Sequence, residues 1–406
     1  MQTIPRSAVT GGSPDAASHQ PIKTTSGGSC RSMRAPARRI MYEKLYEKLE
    51  AVGEAFRLPG KLYACDTVKN GNINSTYKVT YRMEDGSLKS YVVQKINTNV
   101  FKNPEDIMEN IDRVTSHMRE HYPAEVTLHF HHTADGKNYL YDEDASFWRV
   151  MNYVDSVTFD VCDDPAVISA TGEAFGRFQN QLADFDGSLL HETIPDFHNT
   201  HKRLDRLFDD VAENRLNRNG DAMEEIEFIS SVRYQAGMLS DQYANGKFPV
   251  RVTHNDTKSN NVLFDRITKR PIVVIDLDTV MPGMSVYDFG DAVRFICNTA
   301  AEDEPDTRRV YFDTSKFRAF CHGYLGAVKH SITKEERDSL VLGAFSITIE
   351  LAARFLDDYL TGDTYFKVNY PGHNLVRTRC QLALAKDILR KKEELKWIVE
   401  ETLEND

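Results

Sequence analysis

The stretch Val252-Thr253-His254-Asn255-Asp256-Thr257-Lys258-Ser259-Asn260-Asn261-Val262-Leu263-Phe264 constrains this chain more than any other. Two short apolar runs flank a polar loop. A third run, Ile272-Val273-Val274-Ile275, returns after Asp265-Arg266-Ile267-Thr268 and ends on Asp276. That spacing reads as short strands joined by tight turns. A loop of a few residues lets Asp256 and Asn261 point into one cleft, and the returning strand brings the Asp276 carboxylate beside them. Taken singly, each is an ordinary turn or cap residue. In this order and between these strands they form a set of oxygen ligands with one candidate base.

Around this island the chain changes character. Residues 62–68, 75–82 and 89–96 are rich in Val, Tyr and Thr and read as three strands, with Glu84-Asp85-Gly86 turning between the last two. Asn103-Pro104 reads as a helix start, and Ile107, Met108, Ile111, Val114 and Met118 follow at helical spacing. Strand character returns over 125–154. Beyond about 160 the pattern is mainly helical: 166–182, 202–212, 222–245, 313–328, 334–359 and 374–402. The expectation is an α+β chain, with a small sheet-bearing lobe before a larger helical one that contains the island.

Charge and composition narrow the partners. The chain is 41% hydrophobic and 27% charged over 406 residues, enough for two or three cores and against disorder throughout. Net charge is −11, but residues 1–40 carry six basic side chains and one acid, so that segment is +5 and the remainder −16. An acidic body disfavours nonspecific nucleic-acid binding, leaving small ligands. No run approaches eighteen uncharged apolar residues, so no membrane partner is expected. Six scattered cysteines without a C-x-x-C pair fit reduced thiols and a cytoplasmic protein. Residues 1–40 read as a disordered tail or as sequence ahead of a true start at Met41. Their Arg/Ser-rich, acid-poor composition also meets part of the description of a transit peptide.

The order Asp256, Asn261, Asp276 resembles the catalytic loop and metal site of kinases, where one Asp accepts the substrate proton while Asn and a second Asp hold Mg²⁺ on the ATP phosphates. A literal Asp288-Phe289-Gly290 also occurs, but 32 residues after Asp256; Asp276, at the end of the returning strand, is the better metal ligand. Asp288 and Asp291 read instead as helix caps and loop anchors. Ala-Pro-Glu and Gly-x-Gly-x-x-Gly strings are missing. The His-Asn-Asp form of the loop resembles the aminoglycoside phosphotransferase and choline kinase superfamily. Within it the chain is similar to the N-acetylhexosamine 1-kinase family over roughly 48–400. The shared strings are Gly71-Asn72-Ile73-Asn74-Ser75-Thr76-Tyr77, Gln94-Lys95-Ile96-Asn97, Phe197-His198-Asn199-Thr200, residues 251–261, 275–283 and 287–291, Glu350 with Arg354-Phe355-Leu356, and residues 373–379.

The resemblance implies a bilobal protein-kinase-like fold with an N-lobe over 41–154, a C-lobe over 155–406 and a hinge near 152–155. It implies ATP- and Mg²⁺-dependent phosphorylation of the anomeric hydroxyl of an N-acetylhexosamine by a protein expected to be monomeric. Asp256 would be the base, and Asn261 and Asp276 would hold Mg²⁺. Gly71, Asn72, Asn74, Ser75 and Thr76 would line the phosphates. Lys95 would contact them, paired with Glu109 or with Glu105 one turn earlier. His198, Asn199, Thr200, Asp278 and Arg354 would face the sugar; Arg354 and Glu350 also have the spacing of an intrahelical ion pair. Arg377 and Arg379 read as structural or anion contacts near the cleft. Another acceptor (a different sugar, homoserine, choline or an aminoglycoside) and a catalytically silent nucleotide-binding protein are the alternatives.

Overall fold

The computed structural model describes residues 35–68, 73–161 and 163–405. Backbone contacts divide the chain into two units at Lys48/Leu49. Helix α1 (Ala35–Ala55) begins in the first unit, and every element named below lies in the second.

Strands β1 (Lys61–Val68), β2 (Ser75–Arg82) and β3 (Leu88–Ile96) form where the Val/Tyr/Thr-rich segments predict them. Helix α2 (Pro104–His121) follows, started by proline; Asn103 occupies the cap position, but its side chain makes no cap hydrogen bond. Of the expected strand character over 125–154, only β4 (Leu140–Tyr141) and β5 (Phe147–Asn152) form, together with a bridge from Phe130 to Met151. The sheet is antiparallel in the order β1-β2-β3-β5-β4.

Alternation gives the sheet two different faces. Val79, Tyr81, Tyr91, Val93, Trp148 and Val150 share one face and are buried. Gly53 of α1 approaches the Tyr81 hydroxyl so closely that a Cβ there would lie 1.8 Å from it. On the opposite face, Ile96 and Phe147 join one core with Ile107, Met108 and Ile111 of α2. Thr76, Gln94 and Arg149, adjacent across β2, β3 and β5, point the same way as Ile96.

The remaining helices are α3 (Pro165–Gln181), α4 (Thr200–Glu213) and α5 (Met223–Ala244). The island then forms two small antiparallel sheets: β6 (Arg251–Thr253) pairs with β9 (Met281–Gly283), and between them in sequence β7 (Val262–Phe264) and β8 (Pro271–Val274) form a hairpin. After it come α6 (Ser285–Ile296), α7 (Thr314–Val328), α8 (Lys334–Thr361), α9 (His373–Arg390) and α10 (Lys392–Asn405). The single helix expected over 374–402 is therefore two, broken at Lys391. By length and composition α8 could cross a membrane, but most of it is enclosed by α4, α5, α6 and α9. It crosses α6 where Gly343 meets the Val286 backbone and Gly290 meets Gly343, an approach only small residues allow. Among the described residues, Cys65, Cys297, Cys321 and Cys380 are free thiols.

Candidate active site

The loop from His254 to Asn261 is held by its own backbone donors. Asp288, within the first turns of α6, accepts from His254 N and Asn255 N at 2.7 Å each, and Asp291 accepts from Thr257 N at 3.1 Å. Asp288 and Asp291 are thus loop anchors; α6 is preceded by Met284, and neither aspartate caps it. Asn255 sits at φ +63, where its side chain offsets the strain by donating to Thr279 O at 2.8 Å. His254 donates Nε2–H to Ile275 O at 2.9 Å, tying the loop to the end of the returning strand, and accepts the Asp256 N–H on Nδ1 at 3.3 Å.

This scaffold brings the three predicted chemical residues together. Asn261 Nδ2 donates to Asp256 O at 2.8 Å and to its Oδ2 at 3.3 Å. Lys258 Nζ lies 2.6 Å from Asp256 Oδ1. Burial works against the Lys258 ammonium, but Asp256 holds its pKa above the usual value, so the cation persists. Lys258 is a site residue that the sequence reading missed; its signal is its position two residues after Asp256 in the same loop.

Asp276 takes a left-handed conformation, φ 63 and ψ 56, at the start of a 3₁₀ turn over Leu277–Thr279. Its side chain reaches solvent through the cleft but is walled by protein, and enclosure together with the Asp278 and Asp256 charges pushes its pKa up to about 6. A carboxylate so crowded by its own kind, accepting no hydrogen bond from the described residues, fits a divalent cation. Asn261 spends its amide N–H on Asp256, which leaves Oδ1 as the matching ligand oxygen. The donor set therefore suits Mg²⁺, which Asp276 and Asn261 would hold.

Elsewhere the structure corrects the expected site. Lys95 pairs across the sheet with Ser75 and Trp148, so it lies on the α1 face, its Nζ 5.9 Å from the Trp148 ring centre. Lys95 and Ser75 are therefore turned away from the face that Asn74, Thr76, Gln94 and Arg149 share. Glu109 does not pair with Lys95: it accepts from His191 Nε2 at 2.9 Å and from Arg113, while Glu105 accepts from the Tyr141 hydroxyl at 2.5 Å. The cation that the sheet presents to the island is Arg149, buried and ion-paired to Asp278. Gly71 and Asn72 lie outside the described residues.

The proposed sugar contacts also rearrange. Asn199 caps α4, accepting from Lys202 N at 3.1 Å and donating to Asp196 at 3.2 Å. Thr200 is fully buried; it donates to Glu350 Oε2 at 2.7 Å and accepts from Tyr287, which in turn accepts from Ser240. His198 donates from Nδ1 to Glu350 Oε1 at 2.9 Å and from Nε2 to Asn255 O at 3.4 Å. Burial opposes its charge, but the Glu350 carboxylate holds the imidazolium pKa above its ordinary value. His198 and Thr200 thus build a floor beneath the loop, Asn199 is spent on the α4 cap, and none of the three offers a free group. Asp278 is likewise consumed by Arg149 and Asn74. Arg354 differs. It makes no ion pair with Glu350 or any other described acid, and its guanidinium lies 5.5–5.9 Å from the Phe197, Tyr365 and Phe366 ring centres. Arg377 rests over Phe355, and Arg379 pairs with Glu225 at 2.8 Å, so Arg379 is structural.

With these positions defined, the phosphotransferase enzyme family profile matches residues 65–320, a span that takes in the sheet from midway along β1 and the whole island. The chain belongs to this phosphotransferase enzyme family. Solved structures share the fold of this phosphotransferase at low identity. An amicoumacin kinase in complex with AMP-PNP, Ca²⁺ and Ami is 11% identical with a TM-score of 0.54, the match covering 85% of this chain and 95% of that one. A microcompartment-associated aminopropanol kinase is 13% identical, TM-score 0.54, covering 85% and 98%. An ethanolamine kinase from Plasmodium vivax is 12% identical, TM-score 0.51, covering 87% and 95%. The His254–Asn261 loop and Asp276 lie within the matched span.

Proposed function

We propose that this phosphotransferase transfers the γ-phosphoryl group of ATP, with Mg²⁺, to the anomeric hydroxyl of an N-acetylhexosamine. The observation that carries the acceptor class is the charge of the side chains gathered around Arg354 and Glu350, beneath the His254–Asn261 loop. Arg354 stands among three aromatic rings without an acid partner, Arg203 is its neighbour, and the nearby buried carboxylates are already engaged, Glu350 by His198 and Thr200 and Asp358 by the backbone of Thr364–Phe366 and by Asn374. A cationic acceptor such as choline, ethanolamine or an aminoglycoside needs the opposite, a carboxylate or an unoccupied aromatic box. A neutral sugar with an acetamido carbonyl suits a guanidinium donor and flanking rings. The sequence strings shared with the N-acetylhexosamine 1-kinases support the same reading.

In this mechanism Asp256 orients the sugar O1–H and takes its proton as the new O–P bond forms and the bond to the β-phosphate oxygen breaks, releasing ADP. Lys258, held against Asp256, shares its charge with the transferring group. Asp276 and Asn261 would hold Mg²⁺, which would supply charge neutralisation on the phosphates. An anomeric hydroxyl is more acidic than an ordinary alcohol, so positioning and charge stabilisation carry most of the acceleration. The test is ATP consumption over N-acetylglucosamine, N-acetylgalactosamine, glucosamine, galactosamine, choline, ethanolamine and homoserine, with phosphorus NMR of the product. An anomeric phosphate formed from the acetylated sugars is expected; turnover confined to the amino alcohols overturns the reading.

A further inference from the structure

Asp278 stands two residues beyond Asp276 in the Leu277–Thr279 turn, and both of its oxygens are taken from the sheet side. Arg149 donates to Oδ1, and Asn74 Nδ2 donates to Oδ2 at 2.7 Å. Arg149 is 2% exposed; its Nε donates to Gln94 Oε1 at 2.9 Å, and Gln94 Nε2 donates to Thr76 Oγ1 at 3.0 Å. One polar chain therefore runs across β2, β3 and β5 and ends on the segment that carries Asp276. Two further bonds pin that segment: Asn110 of α2 donates to Val280 O at 3.0 Å, and Thr279 Oγ1 donates to His254 O at 2.6 Å.

Two physical points give this chain of contacts meaning. A buried Arg–Asp pair is a poor way to gain stability, because desolvating both charges offsets their attraction, so its use lies in fixing geometry. Asp276, at φ 63, occupies a conformation that a non-glycine residue keeps only where its neighbours impose it. Protein kinases align their phosphate site with a β3 lysine and a helix glutamate. Here Lys95 is on the far face of the sheet and Glu109 is bound to His191, so that pair is not made.

We propose that the Arg149–Asp278 ion pair takes over this task from a different strand, holding Asp276 in its left-handed conformation toward the nucleotide phosphates. Arg149 is then a positioning residue that acts through Asp278. The proposal rests on the cleft being a Mg²⁺–nucleotide site and not on the identity of the acceptor.

The test compares Arg149→Met, Arg149→Lys, Asp278→Asn and Lys95→Met in the full chain. AMP-PNP affinity is measured by calorimetry with Mg²⁺ and with a chelator, and amide hydrogen exchange over 277–280 is followed in metal-free protein. Arg149→Met is expected to lower the Mg²⁺-dependent affinity about 10–100-fold, the usual loss when the partner behind a metal ligand is removed. Affinity in chelator should hold, and exchange over 277–280 should quicken. Arg149→Lys should restore part of the loss, and Lys95→Met should cost less than Arg149→Met. Asp278→Asn keeps the side-chain volume and decides by the same ratio if Arg149→Met does not fold. Equal losses with and without Mg²⁺, unchanged exchange, or a larger loss for Lys95→Met would each overturn the proposal. Because no reading requires phosphorylation, a failure of the sugar assignment leaves this test intact.

Discussion

Asp288→Ala separates an anchored catalytic loop from a merely adjacent one. The Asp288 carboxylate accepts from His254 N and Gln179 Nε2 on Oδ2 and from Asn255 N on Oδ1, each at 2.7 Å. Gln179 Nε2 has a second acceptor in Val252 O at 3.1 Å, so alanine orphans chiefly the two backbone donors. Orphaned buried donors cost about 1–3 kcal/mol each, and their bonds here are charge-assisted, which places the gross loss at roughly 3–5 kcal/mol. Burial already pushes the Asp288 pKa up, and removing the carboxylate relieves that desolvation, so a net loss of about 2–4 kcal/mol is expected. This is a large share of a typical total of about 5–15 kcal/mol. Urea unfolding followed by far-UV circular dichroism at neutral pH measures it. Turnover should fall about 100-fold, more than KM rises, because Asn255 and the adjacent Asp256 lose their fixed geometry. A stability change below about 1 kcal/mol, typical of an incidental surface site, or normal turnover in a destabilised protein, would refute the anchoring argument.

Three further outcomes follow from the geometry. Asp256→Asn should lower turnover by about 10²–10⁴-fold, the range for loss of a general base, with nucleotide affinity and melting temperature near those of the parent; steady-state kinetics and calorimetry check this. Gly323→Ala should destabilise by about 1–3 kcal/mol or more, since its Cβ would fall 1.8 Å from Ser169 O and 2.7 Å from Glu173 N where α7 crosses α3. In metal-free protein, burial and the neighbouring Asp278 and Asp256 push the Asp276 pKa up to about 6 against an ordinary 3.8, so folding favours its protonated form: the Asp276 contribution to stability is fullest below pH 4 and is lost as pH rises toward 6. Two pKa units correspond to about 3 kcal/mol unscreened, and water in the cleft reduces this to roughly 1 kcal/mol. Asp276→Asn should flatten that slope in thermal melts and abolish phosphoryl transfer; a steeper slope in the variant would contradict the charge crowding.

The hairpin island was legible in the sequence because its constraints are local. Asp256, Asn261 and Asp276 are spaced by single turns and short apolar strands, and backbone hydrogen bonding within such strands leaves few ways to arrange the three side chains. The β1–β3 segments and most helices were legible for the same reason. The caps and breaks were less so: Met284 precedes α6 where Asp288 looked like the cap, and Lys391 divides a segment whose periodicity ran on.

What only the tertiary structure decided is which side chains face the cleft. In a strand, a shift of one residue exchanges faces, so Gln94 and Lys95 have equal claims until the cross-strand partners are known. The sheet puts Gln94 beside Arg149 and sends Lys95 toward Trp148. Arg149 meets Asp278 across 129 positions of sequence, a partnership created by burial and invisible to local pattern. His198, Asn199 and Thr200 were singled out from the resemblance, yet Glu350 turns His198 and Thr200 inward beneath the loop and Asn199 caps α4. Local spacing determined that Asp256, Asn261 and Asp276 lie in one short island. The packing of sheet against island decided which charges hold them in place, because a buried charge takes whichever partner the fold brings within hydrogen-bonding reach.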